Sequence, residues 1–376
     1  MKTNDQALVQ ERALENRTQL VVVVFALCCF AMMMSVGMAF PVFAHLFKQS
    51  PSGVVLLSVM MVTPHLALCG LAPLVGCLAD RYGRYPFLLL AFAGLVCTSG
   101  ADLCARTPIS YLGIQVLQGF VCAGARPAMM GIIAEIVPEA QRARKLGILM
   151  AGFAGGLALG PAAGGFLFQR WGLAASFGTA LGINLLGLVL LCAMRSSLVS
   201  PGRRTRTKRL PESAGGHLPG QLRLSLLLPL SFFISLLVLE FILSFGRTFV
   251  EPQFVLYVTK VLCFSPTQLG LLMSGHGCAM FVGALALSRL GERTGRRLAL
   301  SMGFFLQALF PCGLLVLHQF AFLLLAALLA GAGSGLILPL LCTYFLDSVP
   351  TAHQSKTQGI KEAAGAVGGL AGSLPA

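Results

Sequence analysis

The sequence predicts an all-α membrane protein built from two similar bundles of helices. Apolar residues make up 56% of the 376 residues and charged residues only 11%, and the mean hydropathy is +0.84. Soluble domains seldom reach such values. Apolar stretches of ~17 to 25 residues, each long enough to cross the hydrocarbon core as a helix, recur along the whole chain. A polar turn between two apolar runs, GCLADRYGRYP, returns in weaker form as GERTGRR, which indicates a duplication.

Eleven apolar stretches are predicted to be transmembrane helices, six before and five after a segment rich in Pro, Gly, Ser and Arg. These stretches are residues 20–41, 53–78, 86–105, 109–134, 146–168, 173–194, 224–249, 267–290, 298–317, 320–345 and 358–376. The predicted domains are an N-terminal six-helix bundle at residues 1–195, a basic cytoplasmic linker at 196–223 and a C-terminal five-helix bundle at 224–376.

The net charge of +14 is distributed in a way that orients the chain. Most of the 27 Lys and Arg residues fall on one side of the membrane if the N-terminus is cytoplasmic, which is the bias known as positive-inside. This predicts a multi-pass protein of the cell membrane, in bacteria the inner membrane, and argues against nucleic acid as a partner. The 12 cysteines lie in apolar runs without metal-ligand spacing, so no metal site is expected. No catalytic or cofactor-binding motif is present, so the sequence does not predict an enzyme.

The duplication is clearest when residues are paired at an offset of 212 positions (331 minus 119). The matched pairs are Gly119 with Gly331, Pro127 with Pro339, Glu135 with Asp347, Pro138 with Pro350, and Gly147 with Gly359. Parallel repeats of this kind are typical of transporters made of two half-bundles. The sixth span begins near Gly172 and predicts a partner near position 384 (172 plus 212), so we expect a twelfth helix to be missing from this sequence.

Two glycine-rich motifs carry a specific resemblance. GCLADRYGRYP (Gly76–Pro86) lies between the second and third spans, and GLALGPAAGG (Gly156–Gly165) lies in the fifth. In both motif and position the chain resembles the major facilitator superfamily, and within it the drug/proton antiporters. The resemblance implies a secondary active transporter that exports a small amphipathic molecule by alternating access, with proton entry as the driving force. A monomer in the lipid bilayer is expected.

The first motif is interpreted as a cytoplasmic latch. Glycines without a Cβ allow a sharp turn, and a carboxylate at the membrane edge can pair with neighbouring arginines. The residues of the predicted latch are Gly76, Asp80, Arg81, Gly83, Arg84 and Glu135. The resemblance implies that such a latch holds the two halves together on the cytoplasmic side; the alternative is a solvated loop that only fixes topology. In the second copy, Glu292 occupies the second motif position and Gly295 the position of Asp80, so a latch is not expected there.

The second motif places small residues on one face of the fifth helix. Gly156, Gly160 and Gly164 recur every fourth residue, with Pro161 and Gly165 beside them. Such spacing allows two helices to pack backbone to backbone, and the proline removes one helical hydrogen bond. The motif is interpreted as a hinge and seal between the halves; the alternative is close packing alone.

Ionisable residues inside the spans are the candidates for cargo binding and proton coupling, because each is costly in lipid unless it faces water or a partner. Glu240 lies within the seventh span, and Arg247 and Glu251 follow on the same helical face. Glu240 is either the proton-coupling carboxyl or part of a static ion pair. Arg126, in the fourth span, either binds an anionic or zwitterionic cargo group or pairs with Glu240 or Glu362.

Two departures from the exporter pattern alter the expected cargo. The first span has no acidic residue, and the arginine of the fourth-helix signature is replaced by Gln115. Together with Arg126 and Arg247, these changes leave a second hypothesis open, a carrier of an anionic or zwitterionic metabolite or siderophore. A third hypothesis is an inactive or regulatory remnant that lacks the twelfth helix.

Overall fold

The computed structural model describes residues 2–48, 53, 55–60, 83–122, 125–137, 139–195, 230–286, 295–347 and 354–373, which form a bundle of α-helices. The helices are α1 (Lys2–Phe47), α2 (Arg84–Cys104), α3 (Pro108–Cys122), α4 (Ala125–Ile136), α5 (Glu139–Trp171), α6 (Leu173–Ala193), α7 (Leu230–Leu256), α8 (Pro266–Ala286), α9 (Arg296–Val316), α10 (Phe320–Asp347) and α11 (Gln354–Ser373). One π-helical turn, Tyr257–Val261, extends α7. The described part of the chain contains no strand.

The helices follow the predicted spans closely. In the second span only Gly53 and residues 55–60 are described, all as helix, and the fourth span is divided between α3 and α4. Within the described residues, seven helical segments are long and apolar enough to cross a membrane, and α3 is a shorter apolar helix. They lie in α1, α2, α5, α6, α7, α9 and α10. The chain is therefore an all-α, multi-pass membrane protein.

Helices α8 and α11 are not among the seven; both contain polar residues as well as many small ones. Gly270 and Gly277 of α8 lie against the backbone of α5, and Gly368 and Gly372 of α11 lie against the backbone of α7. Small side chains lower the hydropathy of a helix, but they allow neighbouring backbones to approach closely.

Contacts between helices define two groups and one main seam between them. In the first group α1 packs on α5 and α6, and α2 packs on α3, α4 and α6. In the second group α7 packs on α11, and α10 packs on α8 and α9. The most extensive contact between the groups is that of α5 with α8.

The hydrophobic core has a different organisation at the two ends of the bundle. We call the end at which α6 ends and α7 begins the linker end, and the opposite end the distal end. At the distal end one cluster draws on both groups of helices. We call it the distal cluster; it includes Phe43, Phe47, Tyr111, Phe177, Phe254, Phe264, Leu269 and Leu323.

At the linker end the described residues form two clusters, each confined to one group of helices. The first contains Phe25, Phe92 and Ile133, and the second contains Phe233 and Ile337. Within the described part of the chain the two groups therefore share a core at the distal end and have separate cores at the linker end.

Two glycines with positive φ begin equivalent helices of the two groups. Gly83 precedes α2 with φ 96° and ψ 141°, and Gly295 precedes α9 with φ 90° and ψ 137°. A side chain is strained in this conformation, so both positions favour glycine. The glycines are 212 residues apart (295 minus 83), which is the offset of the duplication.

The sequence comparison matched Gly295 to Asp80, and this was wrong: the matching residue is Gly83, three positions later. The backbone shows that Gly295 corresponds to Gly83. At the same offset Asp80 corresponds to Glu292 (80 plus 212), and Arg81 to Arg293. The second copy thus retains the acidic and basic residues of the first, although residues 287–294 themselves lie outside the described residues.

Candidate functional site

The glycine row of α5 packs against α1. A Cβ at Gly156 would overlap the carbonyl oxygen of Phe30, and a Cβ at Gly164 would overlap that of Met38. Gly160 lies against the backbone of Gly37. This differs from the expectation that the row would lie between the halves: it joins two helices of the first group. The residue spacing predicted a close helix contact but not the partner helix.

The other side of the same motif forms the seam with α8. A Cβ at Gly165 would overlap the carbonyl oxygen of Pro266, and a Cβ at Gly270 would overlap that of Pro161. Gly277 lies in the same way against Ala158. The five motif residues are thus divided between two partner helices, and Gly165 and Pro161 contact the second group.

One side-chain hydrogen bond crosses the seam at the proline. The backbone N–H of Ala162, the residue after Pro161, donates to Ser274 Oγ at 2.8 Å. A proline inside a helix disturbs the local hydrogen-bond ladder and leaves backbone groups free for outside partners. Ser274 is 5% exposed, so this bond is shielded from lipid and water. It ties the distorted turn of α5 to α8.

Further contacts join the groups towards the distal end. Thr267 Oγ1 donates to the carbonyl oxygen of Gly165 at 3.3 Å. His45 Nε2 lies 3.3 Å from the carbonyl oxygen of Phe264, which connects α1 to the segment before α8. Together with the distal cluster, these bonds hold the two groups together at this end.

Most of the predicted latch falls outside what the structure describes. Gly76, Asp80 and Arg81 are not among the described residues, and for Glu135 only the backbone is described, within α4. Arg84 lies at the start of α2, and its guanidinium packs over Gly131 of α4, one turn before Glu135. Arg84 therefore faces α4, the helix that carries Glu135.

The second group contains a small polar cavity of about 60 Å³ between α7, α9 and α10. Its lining combines charged, polar and apolar side chains: Glu240, Leu243, Ser244, Arg247, Gln307, Ser334, Ile337 and Leu338. Its volume corresponds to a few water molecules, whereas drug-sized ligands need roughly 300 Å³ or more. Two of the predicted residues, Glu240 and Arg247, thus meet at one cavity.

Glu240 is paired with a lysine that the sequence analysis did not single out. Lys361 Nζ of α11 lies 4.0 Å from Glu240 Oε2, and their side chains are 11% and 17% exposed. Glu240 Oε2 has no hydrogen-bond partner among the described residues, and neither has Ser334 Oγ across the cavity. The carboxylate is therefore compensated by a charge but incompletely hydrogen-bonded, an arrangement that a water, a proton or a cargo group could complete.

Arg247 lies between several titratable groups. It is a charged neighbour of Glu251 on its own helix and of His276 on α8, and it lines the cavity that contains Glu240. The side chain of Arg126 is not described, so its proposed pairing is not resolved. Within the described residues no cluster of His, Cys, Asp or Glu has the arrangement of a metal site.

A second polar cluster, also missed from the sequence, lies in the first group. Asp102 of α2 is 3% exposed and Asn184 of α6 is fully buried. Asn184 Nδ2 donates to Ser99 Oγ at 3.0 Å, and Gln115 of α3 lies beside the carboxyl of Asp102. Asp102 is an acidic residue in the third predicted span, and that was the signal available in the sequence.

Comparison with known proteins identifies relatives of this architecture. The family model of the Major Facilitator Superfamily matches residues 23–239 and 236–375, which together cover nearly the whole chain. The tetracycline resistance protein, class C, of Escherichia coli is 30% identical over 317 residues, which is 81% of this chain and 74% of that protein. The multi-drug resistance efflux pump PmrA homolog of Lactococcus lactis is 26% identical over 247 residues, 64% of this chain and 57% of the relative.

A solved structure has the same fold. A bacterial homolog of the human lysosomal transporter Spinster, in an inward-facing and unoccupied conformation, superposes with a TM-score of 0.65 at 15% identity. The superposition covers 96% of this chain and 81% of that one. At this level of identity the likeness concerns the fold alone.

Proposed function

Because this chain belongs to the Major Facilitator Superfamily and is therefore a membrane transporter rather than an enzyme, we propose that it exports a small amphipathic molecule in exchange for protons, by alternating access. Its relatives are named as efflux pumps and resistance proteins, which supports the export direction.

The observation that carries the proton-coupling part is the environment of Glu240. Glu240 Oε2 lies 4.0 Å from Lys361 Nζ and has no hydrogen-bond partner among the described residues, so a proton bound there would meet no competing donor. When Glu240 is ionised, Lys361 compensates its charge. When Glu240 takes up a proton, the positive charge of Lys361 is no longer compensated by this carboxylate. Proton binding thereby changes the charge of the cavity by one unit.

The two-group architecture supports alternating access. In the proposal, residues 1–195 and 224–376 are the two moving bundles, connected by the basic linker at 196–223. The distal cluster, the α5–α8 seam and the His45 contact represent a state closed at the distal end. The separate linker-end clusters are consistent with access from that end. The positive-inside bias makes the linker end, and with it the N-terminus, cytoplasmic.

The two motifs have separate roles in this proposal. Gly165 and Pro161 form the surface about which α5 and α8 pivot, while Gly156, Gly160 and Gly164 keep α5 rigidly attached to α1. The latch formed by Gly76, Asp80, Arg81, Gly83, Arg84 and Glu135 closes the linker end in the opposite state. Glu292 and Arg293, which correspond in sequence to Asp80 and Arg81, are the candidates for a corresponding latch in the second half.

A second candidate is the transport of an anionic or zwitterionic cargo. The basis for it is the pair of cations, Arg247 and Lys361, near a single cavity carboxylate. The positive charge of these two side chains would attract an anionic cargo group to the cavity. Arg126 remains a candidate for a third cationic contact.

The experiment uses the full chain in proteoliposomes with two fluorescent probes of opposite charge, ethidium as an amphipathic cation and carboxyfluorescein as an amphipathic anion. Each probe is followed with an imposed pH gradient and with none, in the presence of valinomycin and K⁺ to hold the membrane potential at zero. Gradient-dependent movement of ethidium supports the first candidate, and movement of carboxyfluorescein supports the second. Movement of neither probe by this chain, when a proton-coupled relative reconstituted in parallel is active, would contradict both.

A further inference from the structure

A second ionisable site lies in the first group of helices, at a distance from the Glu240 cavity. Asp102 is in the last turn of α2, towards the distal end, and is 3% exposed. Its Oδ1 is buried and has no hydrogen-bond partner among the described residues. The same holds for Gln115 Nε2 on α3 and for Asn184 Oδ1 on α6. Three neighbouring helices thus each contribute an incompletely bonded polar group.

The surroundings of Asp102 provide little to stabilise an ionised carboxylate. Helix α6 carries no charged residue between Leu173 and Ala193, and α3 contributes Tyr111 as its titratable neighbour. Arg106, at the end of the α2–α3 turn, is exposed. Helix α4 packs on α2 nearer the linker end, where Ala125 and Met129 join the first-group cluster.

A neutral carboxylic acid fits these surroundings better than a carboxylate. An unpaired charge in a buried, membrane-spanning position is strongly unfavourable. With a proton bound, the carboxyl gains an O–H donor while its other oxygen still accepts. A primary amide offers the complementary acceptor and donor, so the acid and the amide of Gln115 can form two parallel hydrogen bonds.

We propose that Asp102 is a second proton-binding residue of the transport cycle and that Gln115 is its hydrogen-bond partner. This proposal rests on the proton-coupled function proposed above and gives each group of helices one proton-carrying carboxyl, Asp102 in the first and Glu240 in the second. No bond other than O–H is made or broken: a proton enters from water on one side and leaves to water on the other.

The distal cluster controls access of water to this site. Tyr111, which neighbours Asp102, packs on Phe43 and Phe177 with ring centroids 5.6 and 6.1 Å apart. Its hydroxyl donates to the carbonyl oxygen of Ala105 at 3.1 Å. While these rings are together, Asp102 is shielded from the distal side. Phe43, Tyr111 and Phe177 all belong to the first group, so a path to Asp102 from the distal side opens when α1 moves relative to α3 within that group.

The first test detects the proton directly and requires no transport. Infrared difference spectra of the full chain in lipid nanodiscs are recorded between acidic and alkaline pH. We expect a carboxylic acid C=O band that disappears in Asp102→Asn, and a second band that disappears in Glu240→Gln. Gln115→Leu should shift the frequency of the Asp102 band, because the acid loses its amide partner. If the Asp102→Asn spectrum equals the wild-type spectrum, Asp102 binds no proton in this range and the proposal is wrong.

Size-exclusion chromatography shows whether Asp102→Asn still folds. If it does not, the frequency of the Asp102 band in Gln115→Leu is the measurement that tests the proposal. An unshifted band in that variant contradicts the pairing of the acid with Gln115. The matched control is Gln319→Leu, the same substitution at an exposed glutamine before α10 in the second group, which should leave the Asp102 band at its wild-type frequency.

The second test asks whether this proton participates in transport. With a gradient of one pH unit and no membrane potential, each coupled proton changes the equilibrium accumulation of ethidium about tenfold. We expect Asp102→Asn to accumulate about tenfold less than wild type. Equal accumulation would contradict a role of Asp102 in the cycle. If wild type shows no gradient-driven transport while the infrared band is present, the proposed function fails and the proton site itself stands.

Discussion

Ser274 of α8 accepts a hydrogen bond from the backbone nitrogen of Ala162 at 2.8 Å, directly after Pro161 of α5. The proline disturbs the hydrogen-bond ladder of α5, and the serine of the other group of helices provides a partner at that turn. Ser274 therefore connects the glycine-rich motif of one half to the other half, as Thr267 does at Gly165.

Replacement of this serine tests the connection. We expect Ser274→Ala to lower the free energy of unfolding by about 1 kcal/mol, as measured for hydrogen bonds between membrane helices, because Ala162 N–H loses its partner on α8. Thermal unfolding in detergent measures the change. Ser301→Ala is the matched control, since exposed Ser301 bonds only to the carbonyl of Arg297 in its own helix at 3.1 Å. Equal unfolding temperatures for the two variants would contradict a special role of the seam bond.

The glycine row of α5 should tolerate no methyl group. In Gly164→Ala the new Cβ overlaps backbone atoms of Met38, and backbone cannot move aside as a flexible side chain can. We expect a loss of about 1 to 3 kcal/mol. Gly178→Ala in α6 serves as the control, because a Cβ there meets nothing within 4 Å. The control should be as stable as wild type or more stable by up to about 1 kcal/mol.

The sequence predicts part of this seam, because residue spacing indicates where a helix can be approached closely but not by which helix. The every-fourth-residue spacing of Gly156, Gly160 and Gly164 predicts a close helix contact, and the contact is present. Spacing does not state which neighbour occupies the face, because that depends on how all helices assemble. The row therefore faces α1, and Gly165 on the adjacent face contacts α8.

The two positive-φ glycines give a third prediction. Gly83→Ala and Gly295→Ala should each destabilise the protein by about 1 to 3 kcal/mol, because alanine is strained at φ near 90°. Gly246→Ala, in the middle of α7 with open space around it, is the control. Thermal unfolding of all three variants checks the equivalence of the two glycines. A variant of Gly295 that behaves like the Gly246 control would contradict their shared role.

The second copy of the motif shows where sequence comparison was misled. Letter-by-letter matching aligned the first glycines of the two turns, Gly76 and Gly291, whereas backbone conformation aligns Gly83 with Gly295. The offset of 212 found elsewhere in the chain already agreed with the second alignment. In a glycine-rich chain, a shared requirement for positive φ is therefore a better guide to which glycines correspond than residue identity alone.

A fourth prediction concerns the ion pair between Glu240 and Lys361. Lys361→Met leaves a carboxylate buried without this cation, and we expect a loss of up to about 3 kcal/mol. The double variant with Glu240→Gln removes both charges and should recover at least half of that loss. Thermal unfolding of wild type, the two single variants and the double variant measures the coupling energy between the two residues. Lys260→Met, an exposed lysine near the end of α7, is the control and should have little effect. Additive losses in the double variant would show that the pair is not coupled.

Lys361 was not recognised in advance because its depth in the bundle is a tertiary property. From the sequence it belongs with the basic residues near the cytoplasmic ends of the spans. In the structure it is 8% exposed, since α11 packs along α7 through Gly365 and Gly368 and brings the lysine to the carboxylate. The carboxyl itself was predictable, because an acidic residue inside an apolar run is conspicuous.

The most direct test of proton coupling compares two modes of transport by Glu240→Gln in proteoliposomes. Exchange of labelled for unlabelled ethidium at equal pH on both sides requires cargo binding and alternating access but no proton movement. Accumulation driven by a pH gradient requires a carboxyl that binds and releases a proton. We expect Glu240→Gln to retain exchange and to lose at least tenfold in gradient-driven accumulation, relative to wild type assayed in parallel. Undiminished gradient-driven accumulation by Glu240→Gln would contradict proton coupling through this carboxyl.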